Sequence, residues 1–296
     1  MSRCPDPGIY PDVADVDYFA WDAVNNSSMG PALRSMAHYK SALDRPRTAT
    51  PAMEFGRFVH QVVLEPELLA ANYVVMPDFA EELRDEYKNP RATKVYKERV
   101  AEFRETNAGR ECVDVEWYDH ALAMIGAVKA CPRAALWLRG EGETETSIVW
   151  NDPLTGLRCK ARIDKRTGDN VEEQCLIDLK TTADASKFDR SMVAFGYARQ
   201  AAFYRDGMEL IDGVPYDFAF VAVEKEPPYA TLSGICSDEL MAYGRREYQG
   251  ILRRICEGRA YDKWPGYDQP AELDLPSWAY QAEDVVLGVA GEEIRI

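Results

Sequence analysis

The chain changes its hydrophobic period along its length. From Pro31 to Leu43 the apolar residues Leu33, Met36, Ala37 and Leu43 recur at helical spacing and predict a helix. Thr50-Pro51 is a helix start, a capping threonine followed by proline at the first helical position. That helix runs through Phe55-Gly56-Arg57-Phe58-Val59-His60 to Leu64 and stops near Pro66. Thr93 caps a further helix to about Asn107. Glu116 to Ala130 predicts another, with Leu122, Ile125, Ala127 and Val128 as its inner stripe.

In the middle of the chain the period becomes two. Glu145 to Trp150 reads as a strand, and Asp152-Pro-Leu-Thr-Gly156 as a turn. From Leu157 to Arg166 the alternation is sharp: Leu157, Cys159, Ala161 and Ile163 on one face, Arg158, Lys160, Arg162 and Asp164 on the other. Cys175 to Lys180 alternates again, with Cys175, Ile177 and Leu179 opposite Leu176, Asp178 and Lys180. A helix then covers Tyr197 to Ile211. Asp217–Val223 and Tyr229–Ile235 form a strand pair, and Ser237-Asp238 opens a long helix to about Gly258. The expectation is an α/β (α+β) fold, a central mixed sheet flanked by helices with an N-terminal helical part. Residues 1–30 are expected as an irregular arm, 31–267 as one domain and 268–296 as an acidic tail.

Composition narrows the class. Of 296 residues, 46% are hydrophobic and 29% charged, which is ordinary globular usage and excludes wholesale disorder. No window approaches eighteen unbroken apolar residues, and the start has no signal-peptide stretch, so the expected setting is the cytoplasm, without a membrane. None of the seven cysteines forms a C-x-x-C pair, which leaves no basis for an iron–sulfur cluster. A net charge of −15 counts against general nucleic-acid binding.

The candidate chemistry lies between residues 56 and 204. Strand parity puts Asp178 and Lys180 on one face, and Asp164 on the polar face of the preceding strand. Two carboxylates in a cleft repel each other, and a hard divalent cation such as Mg2+ or Mn2+ relieves this. A lysine beside it can polarise an attacking water or stabilise charge on a phosphate. Gly56 and His60 are four apart on one helix, as are Gln200 and Tyr204 on another, so each pair shares a face.

In order, Gly56-x-x-x-His60, Arg162-Ile-Asp164, Ile177-Asp178-Leu179-Lys180-Thr181-Thr182 and Gln200-x-x-x-Tyr204 form a recognisable series. It resembles the RecB-like branch of the PD-(D/E)XK nuclease superfamily. Phe55-Gly56-Arg57, Leu64-Glu65-Pro66-Glu67, Thr155-Gly156-Leu157-Arg158-Cys159-Lys160, Gly196-Tyr197-x-x-Gln200-Ala-Ala-x-Tyr204 and Val223-Glu224-Lys225-Glu226-Pro227-Pro228-Tyr229 narrow the resemblance to the RecE (exonuclease VIII) nuclease domain, over about residues 30 to 267.

The resemblance implies that Asp164, Asp178 and the backbone carbonyl of Leu179 hold the metal, one or two ions, and that His60 completes the site. It implies that Lys180 orients or activates water, and that Gln200 and Tyr204 brace the site and touch the DNA backbone. Lys160, Arg162 and Thr181 are expected at the DNA, and Glu145 is a further candidate acid of unresolved parity. The second acidic position is Asp178, where many relatives carry glutamate. The implied activity is metal-dependent exonucleolytic degradation of double-stranded DNA from its ends, 5′ to 3′, leaving 3′ tails. A ring-like homo-oligomer and a RecT-type annealing partner are implied with it. The alternatives are an endonuclease or single-strand nuclease of the same fold, or an inactive DNA-binding module.

The charge is patterned rather than uniform. Residues 268–296 hold seven acids and one arginine, whereas residues 157–166 hold five basic groups and one acid. An acidic total is therefore compatible with a basic channel.

Overall fold

A computed structural model describes residues 4–45, 50–168, 174–267, 274–275, 286–289 and 292–295. Eight of its strands position the site or its surroundings: β1 (Gly8–Tyr10), β2 (Tyr73–Met76), β3 (Glu111–Asp114), β4 (Gly142–Asn151), β5 (Arg158–Thr167), β6 (Cys175–Thr182), β7 (Asp217–Glu224) and β8 (Thr231–Ile235). Six of these form one sheet in the order β1-β4-β5-β6-β7-β8, and β2 and β3 form a small parallel pair apart. Within the large sheet only β6 and β7 run parallel; the other neighbours are antiparallel. The parallel pair needs a crossover, supplied by helices Phe188–Ala194 and Tyr197–Asp212.

Helices cover both faces of the sheet, so its central strands are buried on both sides, while the edge strands β1 and β8 stay partly exposed. On one face Ile148, Cys159, Ile163, Leu176, Phe218 and Phe220 pack with helices Tyr197–Asp212 and Asp238–Tyr261. On the other, Ile177, Leu179, Ala219 and Val221 meet Phe55, Phe58, Val59 and Val62 of helix Pro51–Leu64 and the apolar residues of helix Val115–Ala130. The predicted caps form: the side chains of Thr50, Thr93 and Ser237 accept the backbone N–H groups of Met53, Tyr96 and Leu240. No single helix among the described residues is long and apolar enough to cross a membrane.

Several expectations need correction. The arm over residues 1–30 is regular where it is described: β1 pairs with β4 as the sheet's edge strand, and helices Asp15–Ala20 and Asn26–Met29 follow. The helix expected over 31–43 divides into a 3-10 turn, Gly30–Leu33, and a helix, Met36–Leu43, because Ser35 turns extended and caps the second piece. In helix Val115–Ala130 the buried residues are Ala121, Met124 and Val128, whereas Leu122 is 46% exposed. Val128 of the expected stripe is buried, and Ile125 and Ala127 pack against the same core. The acidic tail over 268–296 falls largely outside the described residues; within it, strands Val286–Val289 and Glu292–Arg295 pair antiparallel.

Candidate active site

The site is a fork in the sheet. β5 and β6 pair at Lys165–Ile177 and Arg166–Leu176, then part. Asp164 sits where they separate, and its Oδ2 accepts the N–H of Leu179 at 2.8 Å. A side chain thus takes the place of a backbone rung. The carbonyl of Leu179 lies on the same edge of β6 as that N–H, since both groups of one residue face one neighbour in a ladder. It therefore borders the fork.

Three elements bring ligand atoms to the fork. Helix Pro51–Leu64 buries Phe58, Val59 and Val62 and presents His60, whose Nδ1 lies 3.5 Å from Asp164 Oδ2. Gly56, one turn earlier, lies over the end of β6; a Cβ there would meet only Thr181 Oγ1, at 3.9 Å. Strand β4 supplies Glu145. The pairs Thr144–Lys165 and Thr146–Ile163 on either side set it directly across from Asp164. Its φ of +48° is a left-handed backbone that a non-glycine residue rarely adopts. One ligand atom each from His60, Glu145 and Asp164 lie within 4.8 Å of one another.

Asp178 and Lys180 stand beside this trio rather than inside it. Asp178 is 2% exposed. Its Oδ1 accepts from Gln200 Nε2 at 2.5 Å, and its Oδ2 lies 2.5 Å from Lys180 Nζ without receiving a well-directed hydrogen bond. The Lys180 ammonium also lies 5.0 Å above the ring centre of Tyr197. Tyr204 packs against Phe203 and Phe218 beneath Gln200, so it braces from within the core.

The electrostatics follow from crowding. Burial, then the charge of Asp164, pushes Glu145 up to about 8. Burial and Asp164 likewise push Asp178 up to about 7, against the pull of Lys180 and Gln200. For Lys180, burial works downward, but Asp178 and Asp164 outweigh it and raise its pKa, so the amine is held as a cation. Clustered acids with displaced pKa values beside a partly buried cation have the character of a functional site. The donors that converge suit a divalent cation: the carboxylates of Glu145 and Asp164 and the imidazole of His60, with the Asp178 carboxylate, paired to Lys180, beside them.

Two expected DNA contacts are corrected. Lys160 is 3% exposed, and its Nζ donates to the carbonyls of Tyr18 (2.6 Å) and Trp21 (2.8 Å). Arg162 donates to Val13 O (2.7 Å) and Ser147 Oγ (3.2 Å) and pairs with Asp15. Both cations are taken up by the N-terminal arm because charges carried inward by a strand must find partners. Thr181 remains half-buried at the fork. Tyr197 had no role assigned from sequence; its position three residues before Gln200, on the same helical face, was the available signal.

The forked mixed sheet with convergent acids and a lysine defines a nuclease fold of the PDDEXK class. The chain belongs to the family described as PDDEXK-like domain of unknown function (DUF3799), whose model matches residues 27–273. No curated protein sequence matches it. Among solved structures it is similar to a protein from Eubacterium rectale described as a candidate exonuclease, with a TM-score of 0.55 at 10% identity over 92% of this chain and 99% of that one. At that identity the likeness is one of fold. A slighter similarity, TM-score 0.28 at 15% identity over 67% of this chain and 97% of the other, is to an alkaline exonuclease from Laribacter hongkongensis.

Proposed function

We propose that this protein is a divalent-metal-dependent exodeoxyribonuclease that degrades double-stranded DNA from its ends. The observation that carries the reading is the fork at Asp164, where His60, Glu145 and Asp164 converge next to the Asp178–Lys180 pair. His60, Glu145, Asp164, Asp178 and the carbonyl of Leu179 hold Mg2+ or Mn2+. When bound, the ion supplies a Lewis acid that favours hydroxide over water and offsets charge growing on a phosphate. Lys180 directs its ammonium at the attacked phosphate and the incoming water. Asp178 and the face of Tyr197 orient that ammonium. Gln200 fixes the Asp178 carboxylate through its amide, and Tyr204 supports Gln200 from the core.

The preference for ends rests on the motif series shared with RecE-type nuclease domains, and the similar Eubacterium rectale structure is itself described as a candidate exonuclease. With it go 5′-to-3′ polarity, 3′ single-stranded products, a homo-oligomeric ring and an annealing partner of the RecT type. Release of nucleotides from linear and from closed circular duplex, in Mg2+ and in EDTA, tests the reading. Metal-dependent release from linear DNA alone is expected. Cleavage of closed circles removes the exonuclease assignment, and absence of metal-dependent cleavage removes the nuclease assignment.

A further inference from the structure

The connection between β6 and helix Tyr197–Asp212 carries a ladder of aromatic rings that begins in the core and ends in solvent. Phe220 on β7 is 3% exposed and contacts Phe188 and Tyr197, with ring centres 5.8 and 5.7 Å away. Phe188 and Tyr197 are 5.6 Å apart. Phe195 lies 5.7 Å beyond Tyr197 and is 66% exposed. The same Tyr197 ring carries the Lys180 ammonium 5.0 Å above it. A single ring, Tyr197, therefore stands between Phe195 and the cation of the site.

Phe195 is also held in place. Its N–H donates to Ser191 O at 3.0 Å, and the next residue, Gly196, has a φ of +69°. A Cβ at Gly196 would fall 2.4 Å from the Arg199 guanidinium, which pairs with Glu247 at 2.5 Å. The backbone is thus set in a conformation that leaves the Phe195 ring exposed on the side of Tyr197.

We propose that Phe195 is a substrate-positioning residue that stacks on a nucleobase of the strand whose phosphate meets Lys180. This rests on the nuclease reading above. Three points favour a base as the occupant. The ladder is open at one rung, every base offers a π-face whatever its sequence, and a phosphate at Lys180 brings its own nucleoside to that side of the cleft. Stacking there would hold the strand without sequence preference, as suits an enzyme that digests any end.

The test uses the full chain and a duplex carrying 2-aminopurine at successive positions from one end, with Ca2+ replacing Mg2+ to measure binding apart from turnover. Wild type is expected to quench the probe at one position. Phe195→Ala is expected to abolish that quenching and weaken binding about ten-fold. Phe195→Trp should retain both, and Leu154→Ala, an exposed apolar residue on the β4–β5 turn, should change neither. Unaltered quenching and affinity in Phe195→Ala, in a protein that still cleaves DNA, overturn this proposal and leave the nuclease reading intact. Failure of the wild type to bind or cleave any DNA overturns both.

Discussion

The polar face of β5 carries Lys160, Arg162 and Asp164 at successive alternate positions, yet its two ends do different work. At one end the cations are saturated. Two carbonyls hold Lys160, the Tyr18 ring covers both side chains at 4.7 and 4.5 Å, and Asp15 and Val13 engage Arg162. At the other end Asp164 accepts one N–H, stands 3.5 Å from His60 Nδ1 and faces Glu145, a second acid whose pKa its charge helps to raise. A saturated cluster holds the fold together; one that crowds acids holds a proton or a cation instead. Strand parity alone does not separate the two, since all three residues lie on one face.

The largest expected effect is at the acidic end. Asp164→Ala, Asp178→Ala or Lys180→Ala should lower cleavage by at least about 10²–10³-fold, the scale of losing one preorganised electrostatic group. Turnover is compared per folded molecule, since Asp178→Ala and Lys180→Ala should also lower the melting temperature by leaving a closely paired partner alone. An unchanged rate in any of them would falsify its placement in the site.

Next comes pH. Glu145, raised to about 8, keeps a proton in the folded protein over a range where the unfolded chain has lost it. The folded state binds more protons there, so metal-free stability should fall as pH rises from about 4.5 towards 8. A melting series in EDTA should show this decline; Glu145→Gln should make it shallower, leaving the share that the likewise raised Asp178 contributes, and Mg2+ should reduce it. A wild-type profile that matches Glu145→Gln would remove Glu145 from the cluster.

At the saturated end the effect should be on stability instead. Lys160→Met leaves the carbonyls of Tyr18 and Trp21 without this donor and should cost about 1–3 kcal/mol. Denaturant unfolding measures the loss, while turnover per folded molecule should stay near wild type. A selective loss of DNA affinity with no loss of stability would restore Lys160 to the DNA interface. The smallest effect is expected at Gln200→Ala, about ten-fold slower for one charge-assisted hydrogen bond, with metal affinity little changed by calorimetry. Collapse of metal binding would mean that Gln200 shapes the metal site itself.

Much of this site was legible locally. Gly56 with His60, and Gln200 with Tyr204, share helical faces by four-residue spacing, and Asp178 with Lys180 share a strand face by twos. The threonine and serine caps worked for the same reason, since each acts within one turn. In helix Val115–Ala130 the residues Ile125, Ala127 and Val128 do pack inward as expected. Leu122 does not, and Ala121 and Met124 take the deepest places, because the neighbouring helix and sheet choose the side that is buried. Glu145 could not be assigned, because its membership depends on pairing with β5 and on a left-handed backbone that its residue type does not announce.

The sequence by itself therefore determined the periods, the caps, the mixed α/β character and the order of His60, Asp164, Asp178, Lys180, Gln200 and Tyr204. These depend on interactions that span a few residues. Only the tertiary structure decided that β5 and β6 part at Asp164, that Glu145 joins the cluster, and that the arm claims Lys160 and Arg162. Those outcomes depend on which distant segments meet, and the desolvation and pairing of charge that follow exist only once they have met.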